Sequence, residues 1–321
     1  MKTSWEKVIW AAVLFFWTFA GSAYGADKLR IAVTNYNITY LSAAVAAKKG
    51  FFRAEGFDPE IIVVRSNISI SALASGAVDF TMVFSAVVRA AMRGAPVKVV
   101  ATFIDSPTYV MISRPGIKNV GDLKGRSVAI GSYGSSGHLV AQLITKHFGV
   151  DPDSEIKIVS LGADSARLAA LKEGVVDAAL VAPPSDSEGK KMGFNVLISA
   201  NEIIKFPYMG LGTSVKKIAE RPDEVKRVLK ALIRANQFMI SNRAEAVQIL
   251  TDWARTDKQG AAAAYDATVK GFSSTGTIPE DGLRLVIDQA KKDAKITRDV
   301  GLSEVSDVKI LREAQKEMGI K

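Results

Sequence analysis

The loop from Gly131 to Gly137 has the composition of an anion-binding loop. It reads Gly-Ser-Tyr-Gly-Ser-Ser-Gly and joins a short apolar run, Ser127–Ile130, to a helical pattern of apolar residues. Glycines let the backbone approach a ligand closely, and the free N–H groups of a helix start favour negative charge. We therefore predict that Ser135 and Ser136 help to bind a carboxylate, sulfonate or phosphate, with His138 as a further donor.

Other interpretations of this loop stay open. A serine at a helix start often only caps that helix, which is worth about 1 kcal/mol. A lone histidine at such a position is often neutral packing. The three glycines lie at intervals of three residues, a spacing that matches neither the dinucleotide-binding fingerprint nor the P-loop. We therefore expect no nucleotide and no other cofactor.

The sequence pattern around this loop occurs twice in the chain. Ala72–Asp79 and Ala170–Asp177 share the pattern Ala-Leu-x-x-Gly-x-Val-Asp at an offset of 98 residues, and apolar strands beginning at Arg30 and Arg126 open the two copies. Each pattern predicts a helix end, a glycine in the left-handed conformation and a buried strand. The repeat therefore predicts an α/β fold with two similar lobes.

Several of these motifs resemble those of the periplasmic solute-binding proteins of ABC importers. The motifs are Lys49–Phe57, the two repeated octets, Gly94–Val97 and Asp122–Ala129. The resemblance covers residues 29–271 and is closest to the branch with nitrate, sulfonate and taurine binding proteins, which shares its fold with thiamine-pyrimidine synthases. It implies two Rossmann-like lobes joined by two crossovers, a type II periplasmic binding protein fold that closes on its ligand by hinge motion.

The resemblance also implies the domain boundaries. The first lobe is expected to comprise residues 26–113 plus 207–321, and the inserted second lobe residues 114–206. The crossovers are then expected near Val110–Pro115 and Phe206–Gly210.

Residues 1–25 have the pattern of a cleavable secretion signal. Lys2 and Lys7 precede an apolar run of 13 residues, Val8–Ala20, and small residues precede Ala26. An uncleaved membrane anchor is the alternative for this segment. We expect the mature protein to be free in the periplasm.

The predicted ligand site lies in the loops that follow the strands, because open α/β sheets bind ligands beyond the carboxyl ends of their strands. These loops are 35–40, 66–69, 84–85, 131–138, 162–165 and 182–186. The predicted ligand-binding residues are Tyr36, Tyr40, Ser69, Ser85, Tyr109, Ser135, Ser136, His138, Ser165, Pro183 and Tyr208. Aromatic rings beside a few polar groups favour an organic anion over an inorganic ion, although the same rings would also suit a lobe core.

Two carboxylates are expected near the same cleft. Asp105 and Asp164 each follow an apolar strand-like run. Either could pair with an amine of the ligand or only cap a turn.

The composition argues against catalysis and against nucleic-acid binding. The chain has no cysteine, so it offers no thiol nucleophile, and its only histidines, His138 and His147, cannot form a three-histidine zinc site. The formal net charge of +9 suits anionic partners, but no block of five basic residues occurs.

We therefore predict a monomeric receptor that is not an enzyme and binds neither metal nor nucleic acid. It is expected to capture a small organic anion and deliver it to an ABC permease in the inner membrane. The alternatives are a periplasmic enzyme on the same fold and a sensory ligand-binding subunit.

Overall fold

A computed structural model describes residues 26–320, so the predicted secretion signal lies outside the described part. None of the helices in this part combines the length and apolar character that a membrane span requires. The described chain forms two five-stranded sheets with helices packed on them. The two sheets lie in different lobes.

The first sheet contains the strands β1 (Asp27–Val33), β2 (Phe57–Val63), β3 (Phe80–Thr81), β4 (Val97–Ile104) and β10 (Met209–Ser214). Their order across the sheet is β2-β1-β3-β10-β4. β1 pairs in parallel with β2 and β3, whereas β10 runs antiparallel to β3 and β4. The helices between these strands are α1 (Leu41–Lys48), α2 (Phe51–Ala54), α3 (Ser66–Ser75) and α4 (Phe84–Met92).

The second sheet contains the strands β5 (Val110–Ser113), β6 (Arg126–Ile130), β7 (Ile156–Ser160), β8 (Ala178–Val181) and β9 (Asn195–Ser199). Their order is β7-β6-β8-β5-β9, and β6 pairs in parallel with β7 and β8. The helices of this lobe are α5 (Ser136–His147), α6 (Asp164–Lys172) and α7 (Ser185–Lys191).

The chain then returns to the first lobe and adds a helical layer. Its helices are α8 (Val215–Glu220), α9 (Pro222–Ser241), α10 (Arg243–Ala254), α11 (Lys258–Thr268), α12 (Glu280–Ala294), α13 (Leu302–Val305) and α14 (Lys309–Glu317). α9 packs on α1 and α2, and α12 packs on α4. These helices therefore pack on the first lobe.

The two repeated octets adopt the same structure. Gly76 and Gly174 both have left-handed backbones, with φ of 76° and 70°. Asp79 then accepts the N–H of Arg30 at 2.8 Å, and Asp177 accepts the N–H of Ser127 at 2.9 Å. In each lobe the aspartate thus ties the end of a helix–turn–strand unit to the first strand of its copy.

The first crossover differs from the prediction. Val110–Ser113, expected in the first lobe, forms β5 and pairs with β8 on one side and β9 on the other. All four residues of β5 are buried, because this apolar run lies between two other strands of the second sheet. The chain crosses between the lobes at residues 105–109 and returns at residues 200–208.

Candidate ligand-binding site

A cavity of about 320 Å³ lies between the two lobes. Asn35 lines it from the first lobe, Gly131 lines it from the second, and Tyr109 and Tyr208 line it from the crossovers. The loops 35–40 and 131–138, both predicted to contribute to the ligand site, therefore meet at one cavity. Its volume is at the lower end of the range for small-molecule sites, so it suits a small ligand.

Four helices begin at the wall of this cavity. The starts of α3 at Ser66 and of α5 at Ser136 line it directly, and the capping residues Val83 of α4 and Ala163 of α6 line it as well. Each helix follows a strand whose carboxyl end points to the cleft, so the first free N–H groups lie at this cavity. Aligned helix starts favour a negative charge between them.

Arg65 brings a positive charge from the first lobe. It is the residue before α3, and its side chain reaches the opposite lobe, where a Cβ at Gly162 would lie 3.3 Å from its Nε atom. The residue is exposed, and it forms no salt bridge or side-chain hydrogen bond with any residue between 26 and 320. Its guanidinium is therefore available to a ligand.

Arg167 brings a second positive charge from α6 of the second lobe. It is only 1% exposed, donates to the carbonyl of Gly162 at 3.0 Å, and forms a salt bridge with Asp164. Its Nε atom is buried without a hydrogen-bond partner in the described chain. Burial lowers the pKa of Arg167, but a guanidinium stays charged throughout the physiological range.

Asp164 connects this arginine to the opposite lobe. Its Oδ2 atom accepts a hydrogen bond of 2.7 Å from Nδ2 of Asn37 in the first lobe. A second bond between the lobes joins the N–H of Ile38 to the carbonyl of Pro183 at 3.1 Å. Asp164 therefore balances one positive charge and also holds the two lobes together.

The glycines of the 131–137 loop make room for cavity side chains. A Cβ at Gly131 would lie 2.8 Å from Nη1 of Arg167, and a Cβ at Gly137 would lie 3.0 Å from the hydroxyl of Tyr109. A side chain at either position would displace a group that lines the cavity. The glycines thus leave room for the side chains that line the cavity.

Three tyrosines contribute to the apolar part of the wall. The rings of Tyr109 and Tyr208 meet edge to face at 5.5 Å, and the hydroxyl of Tyr40 lies 2.7 Å from that of Thr34. Burial raises the pKa of Tyr40 and of Tyr208, so both rings stay neutral at physiological pH. The wall offers flat apolar surfaces with neutral hydroxyl groups.

Five of the predicted ligand residues line the cavity. They are Tyr40, Tyr109, Ser135, Ser136 and Tyr208. The hydroxyl of Ser135 donates to the carbonyl of Ser132 at 2.7 Å and accepts the N–H of His138, so it caps α5. The hydroxyl of Ser136 lies 3.1 Å from both Ser85 Oγ and the carbonyl of Tyr208 in the first lobe. Both serines therefore have hydrogen-bonding roles within the protein.

Three predicted residues of the first lobe lie outside the cavity wall. The ring of Tyr36 is 45% exposed and meets Trp253 edge to face at 4.6 Å. Ser69 is buried inside α3 and donates to the carbonyl of Ser66 at 2.8 Å. Ser85 is buried and reaches the site only through Ser136.

Three predicted residues of the second lobe also lie outside the wall. Nδ1 of His138 accepts the N–H of Gly134 at 3.1 Å, and burial lowers the pKa of this histidine. The imidazole is therefore neutral and has a structural role in the loop. Ser165 is exposed on α6, and the carbonyl of Pro183 is occupied by Ile38. Sequence position alone did not show which way these side chains point.

The two arginines are the main residues that the sequence analysis missed. Ser69 and Ser165 were the predicted ligand residues of the loops at 66–69 and 162–165, whereas Arg65 and Arg167 adjoin the same loops and carry the charge. Both lie within one helical turn of a predicted helix start, and a search for basic residues at those positions would have found them.

Comparison with known proteins identifies the family. The sequence profile of the NMT1/THI5-like family matches residues 37–246. The chain belongs to this family. A binding protein of Brucella abortus is 25% identical over 261 residues, which are 75% of this chain and 76% of that protein. A 4-amino-5-hydroxymethyl-2-methylpyrimidine phosphate synthase of Candida albicans is 26% identical over 228 residues, which are 64% of this chain and 65% of that enzyme.

Solved structures share the fold of this NMT1/THI5-like chain. A protein from Bordetella bronchiseptica superposes with a TM-score of 0.79 at 23% identity, covering 91% of this chain and 98% of its own. The alkanesulfonate-binding protein SsuA of Xanthomonas axonopodis, bound to MOPS, superposes with a TM-score of 0.69 at 19% identity, covering 91% and 99%. The predicted periplasmic binding protein fold and the stated resemblance are thereby confirmed.

Proposed function

We propose that this protein is a periplasmic substrate-binding protein that captures a small organic monoanion between its lobes for ABC-type import. The observation that carries the proposal is the guanidinium of Arg65, which has no ionic partner among residues 26–320, at a cavity where four helices begin. A cationic side chain and free N–H groups at one closed site favour an anion over a neutral or cationic ligand.

The balance of charge at the cavity favours a single negative charge on the ligand. Arg65 and Arg167 are the charged residues of its wall, and Asp164 pairs with Arg167. One positive charge is left without a partner. A dianion would leave one of its charges uncompensated in a partly buried site, which is costly.

The apolar wall favours an organic body on that anion. Besides the tyrosines, the side chains of Met82, Val83 and Leu161 line the cavity. Burying apolar ligand surface against them contributes about 25 cal/mol per Å². A bare inorganic ion would gain nothing from these contacts.

A thermal-shift screen of the chain from Ala26 onward tests this proposal. The panel contains alkane and aryl sulfonates, aliphatic and aromatic carboxylates, nitrate, sulfate and a neutral alcohol of each size. A ligand at 100 times its dissociation constant stabilises the fold by about 2.7 kcal/mol, which shifts the melting temperature by several degrees. We expect organic monoanions to give the largest shifts.

A pair of arginine variants locates the binding. Arg65→Gln is expected to lower the affinity for the best ligand by about ten-fold or more, because it removes a charged hydrogen-bond donor. The control, Arg53→Gln, changes an exposed arginine of α2 that has no salt bridge in the described chain, and it should leave the affinity unchanged. Full affinity in Arg65→Gln, or a preference for sulfate, would sink the proposal.

We also propose that the protein delivers its ligand unchanged. The described wall of the cavity contains no histidine and no acidic side chain, so no imidazole or carboxylate lies there to act as a general base. Some members of the family are enzymes, which makes the question testable. Incubation of the best ligand with the protein, followed by mass spectrometry, is expected to return the ligand alone. A new product would show an enzyme.

The proposed periplasmic location depends on residues 1–25, and the proposed permease on the fold of its relatives. Cell fractionation is expected to find the full-length chain processed near Ala26 and released with the periplasm. Retention of the unprocessed chain in the membrane fraction would instead favour the N-terminal anchor.

A further inference from the structure

A second cavity, of about 530 Å³, lies at the two crossovers and is here called the hinge cavity. It is lined by Asp105–Thr108 from the first crossover and by Asn201 and Lys205–Pro207 from the second, with the end of α11 and the start of α12 closing it. It shares no lining residue with the cavity between the lobes. The hinge cavity is therefore a separate site.

An unpartnered carboxylate lies in the wall of the hinge cavity. Oδ1 of Asp105 is buried and has no hydrogen-bond partner in the described chain. Burial raises the pKa of Asp105 to about 6, so the group is ionised at neutral pH. Asp105 as a whole is half-buried, and a partly buried carboxylate without a partner favours one supplied by a ligand.

Two lysines line the same cavity without pairing with this carboxylate. Lys205 and Lys270 are both exposed, and neither forms a salt bridge with Asp105 or with any other residue of the described range 26–320. The cavity therefore presents one negative group and two positive groups that do not neutralise one another. A ligand with a single charge would satisfy only one side.

We propose that the hinge cavity binds a small zwitterion of the amino-acid type. Its ammonium group would donate to Asp105, and its acid group would lie toward Lys205 and Lys270. Both interactions are charge-assisted hydrogen bonds, which are the strong class in proteins. The proposal stands apart from the anion site, since it uses none of the residues of that cavity.

The walls of the hinge cavity also connect it to lobe closure. Both crossovers contribute to it, and these are the segments that absorb the change in backbone angle when the lobes of such a fold open. An occupant that contacts both crossovers would therefore favour one angle between the lobes over the other.

Calorimetry on the chain from Ala26 onward tests the proposal with defined probes. The probes are glycine, β-alanine and longer ω-amino acids, which vary the distance between the charges, with butylamine and butanoate as singly charged controls. At least one zwitterion is expected to bind at least about ten-fold more tightly than either control, because only it satisfies both charges. Equal binding of a singly charged control would overturn the proposal.

Four variants locate the binding site. Asp105→Asn is expected to lower the affinity for the zwitterion at least about ten-fold. The double variant Lys205→Gln with Lys270→Gln is expected to lower it by as much. Lys157→Gln, an exposed lysine on β7, is the matched control and should change nothing. Arg65→Gln should also leave zwitterion binding intact, although it weakens binding of the anion in the cavity between the lobes.

Three results would overturn the proposal. They are an absence of zwitterion binding up to about 10 mM, full binding by the lysine double variant, and loss of binding in Arg65→Gln, which would move the zwitterion to the cavity between the lobes. Circular dichroism checks the fold of each variant. If Asp105→Asn did not fold, the lysine double variant would still decide the question.

Discussion

Arg65 in the first lobe and Arg167 in the second face the same cavity from non-equivalent positions of the duplicated unit. Applying the 98-residue offset of the repeat, Arg65 corresponds to Ala163 and Arg167 to Ser69. Arg65 and Ala163 both precede the first turn of a helix, whereas Ser69 and Arg167 lie one turn inside it. The same scaffold therefore carries, within residues 26–320, a cation without an ionic partner on one side and a buried, paired cation on the other.

This difference indicates that the two lobes contribute to the site in different ways. The second lobe is organised in advance, since Arg167 is fixed by Asp164 and Gly162 within its own lobe. Under the proposed function, the first lobe contributes a guanidinium that the ligand would recruit as the lobes close. Interactions made only in the closed state are the ones that drive closure.

The largest predicted effect separates the two arginines by stability. Arg167→Met leaves the buried Asp164 without its partner, so the free energy of unfolding should fall by about 3–5 kcal/mol. Arg65→Gln should change it by less than about 0.5 kcal/mol, as is usual for an exposed residue. Urea denaturation measures both.

A double variant serves as the control for this result. Asp164→Asn combined with Arg167→Met removes both charges and should recover much of the loss, because no unpaired buried charge remains. Equal stability of the two single arginine variants would mean that the lobes do not differ in the way described.

The next effect tests the equivalence of the repeated octets. Asp79→Asn and Asp177→Asn should each lower the free energy of unfolding by about 2 kcal/mol, because each carboxylate accepts a backbone N–H and pairs with basic side chains. Values that differ several-fold in urea denaturation would show that the two turns are alike only in sequence.

The effect at Asp177 should also depend on pH. Burial would raise the pKa of Asp177, but hydrogen bonds from Ser127 and Arg114 outweigh it and lower the pKa. The contribution is therefore complete above the unfolded-state pKa of about 3.9 and is lost as the pH falls through the lower folded-state value. The difference between the wild-type protein and Asp177→Asn should accordingly shrink in acid.

A smaller effect concerns the bond between the lobes. Asn37→Asp keeps the side-chain oxygen that accepts the N–H of Thr39, but it places a carboxylate against Asp164. The closed state should weaken, and the anion affinity measured by calorimetry should fall about ten-fold. Asn242→Asp, whose side chain bonds only within the first lobe, is the control. Unchanged affinity in Asn37→Asp would show that this bond does not contribute to closure.

The smallest predicted effect is spectroscopic. Trp253, the only tryptophan after residue 25, donates from its Nε1 atom to the carbonyl of Asn37 at 3.0 Å. Ligand binding should therefore shift its fluorescence emission, with a smaller shift at equal ligand concentration in Asn37→Asp. No shift at a concentration that saturates the calorimetric signal would show that Asn37 keeps one environment in both states.

The fold was predictable because its signals are local. A glycine that ends a helix and is followed at once by an apolar strand can be recognised within a stretch of only eight residues. The sequence contains this pattern twice. The loops of the site followed from a general rule about strand ends. The crossover at Val110–Ser113 was misplaced because an apolar run does not reveal which sheet it joins.

The charges of the site were harder to predict. Asp164 and Arg167 lie three residues apart on a helix, a spacing that equally describes a surface ion pair, and only tertiary packing buries them. Ser69 and Ser165 lie near the right helix starts but point elsewhere, because each step along a helix turns the side chain by about 100°. The rule about strand ends locates the loop and leaves the side chain undecided.

The position of β10 determines an order of assembly. It lies between β3 and β4, although the chain passes through the whole second sheet between β4 and β10. The second sheet is one continuous stretch, residues 110–199, and can complete its hydrogen bonds early, while the first keeps a gap until the chain returns. A newly made chain would therefore expose two unpaired strand edges until β10 fills the space between them.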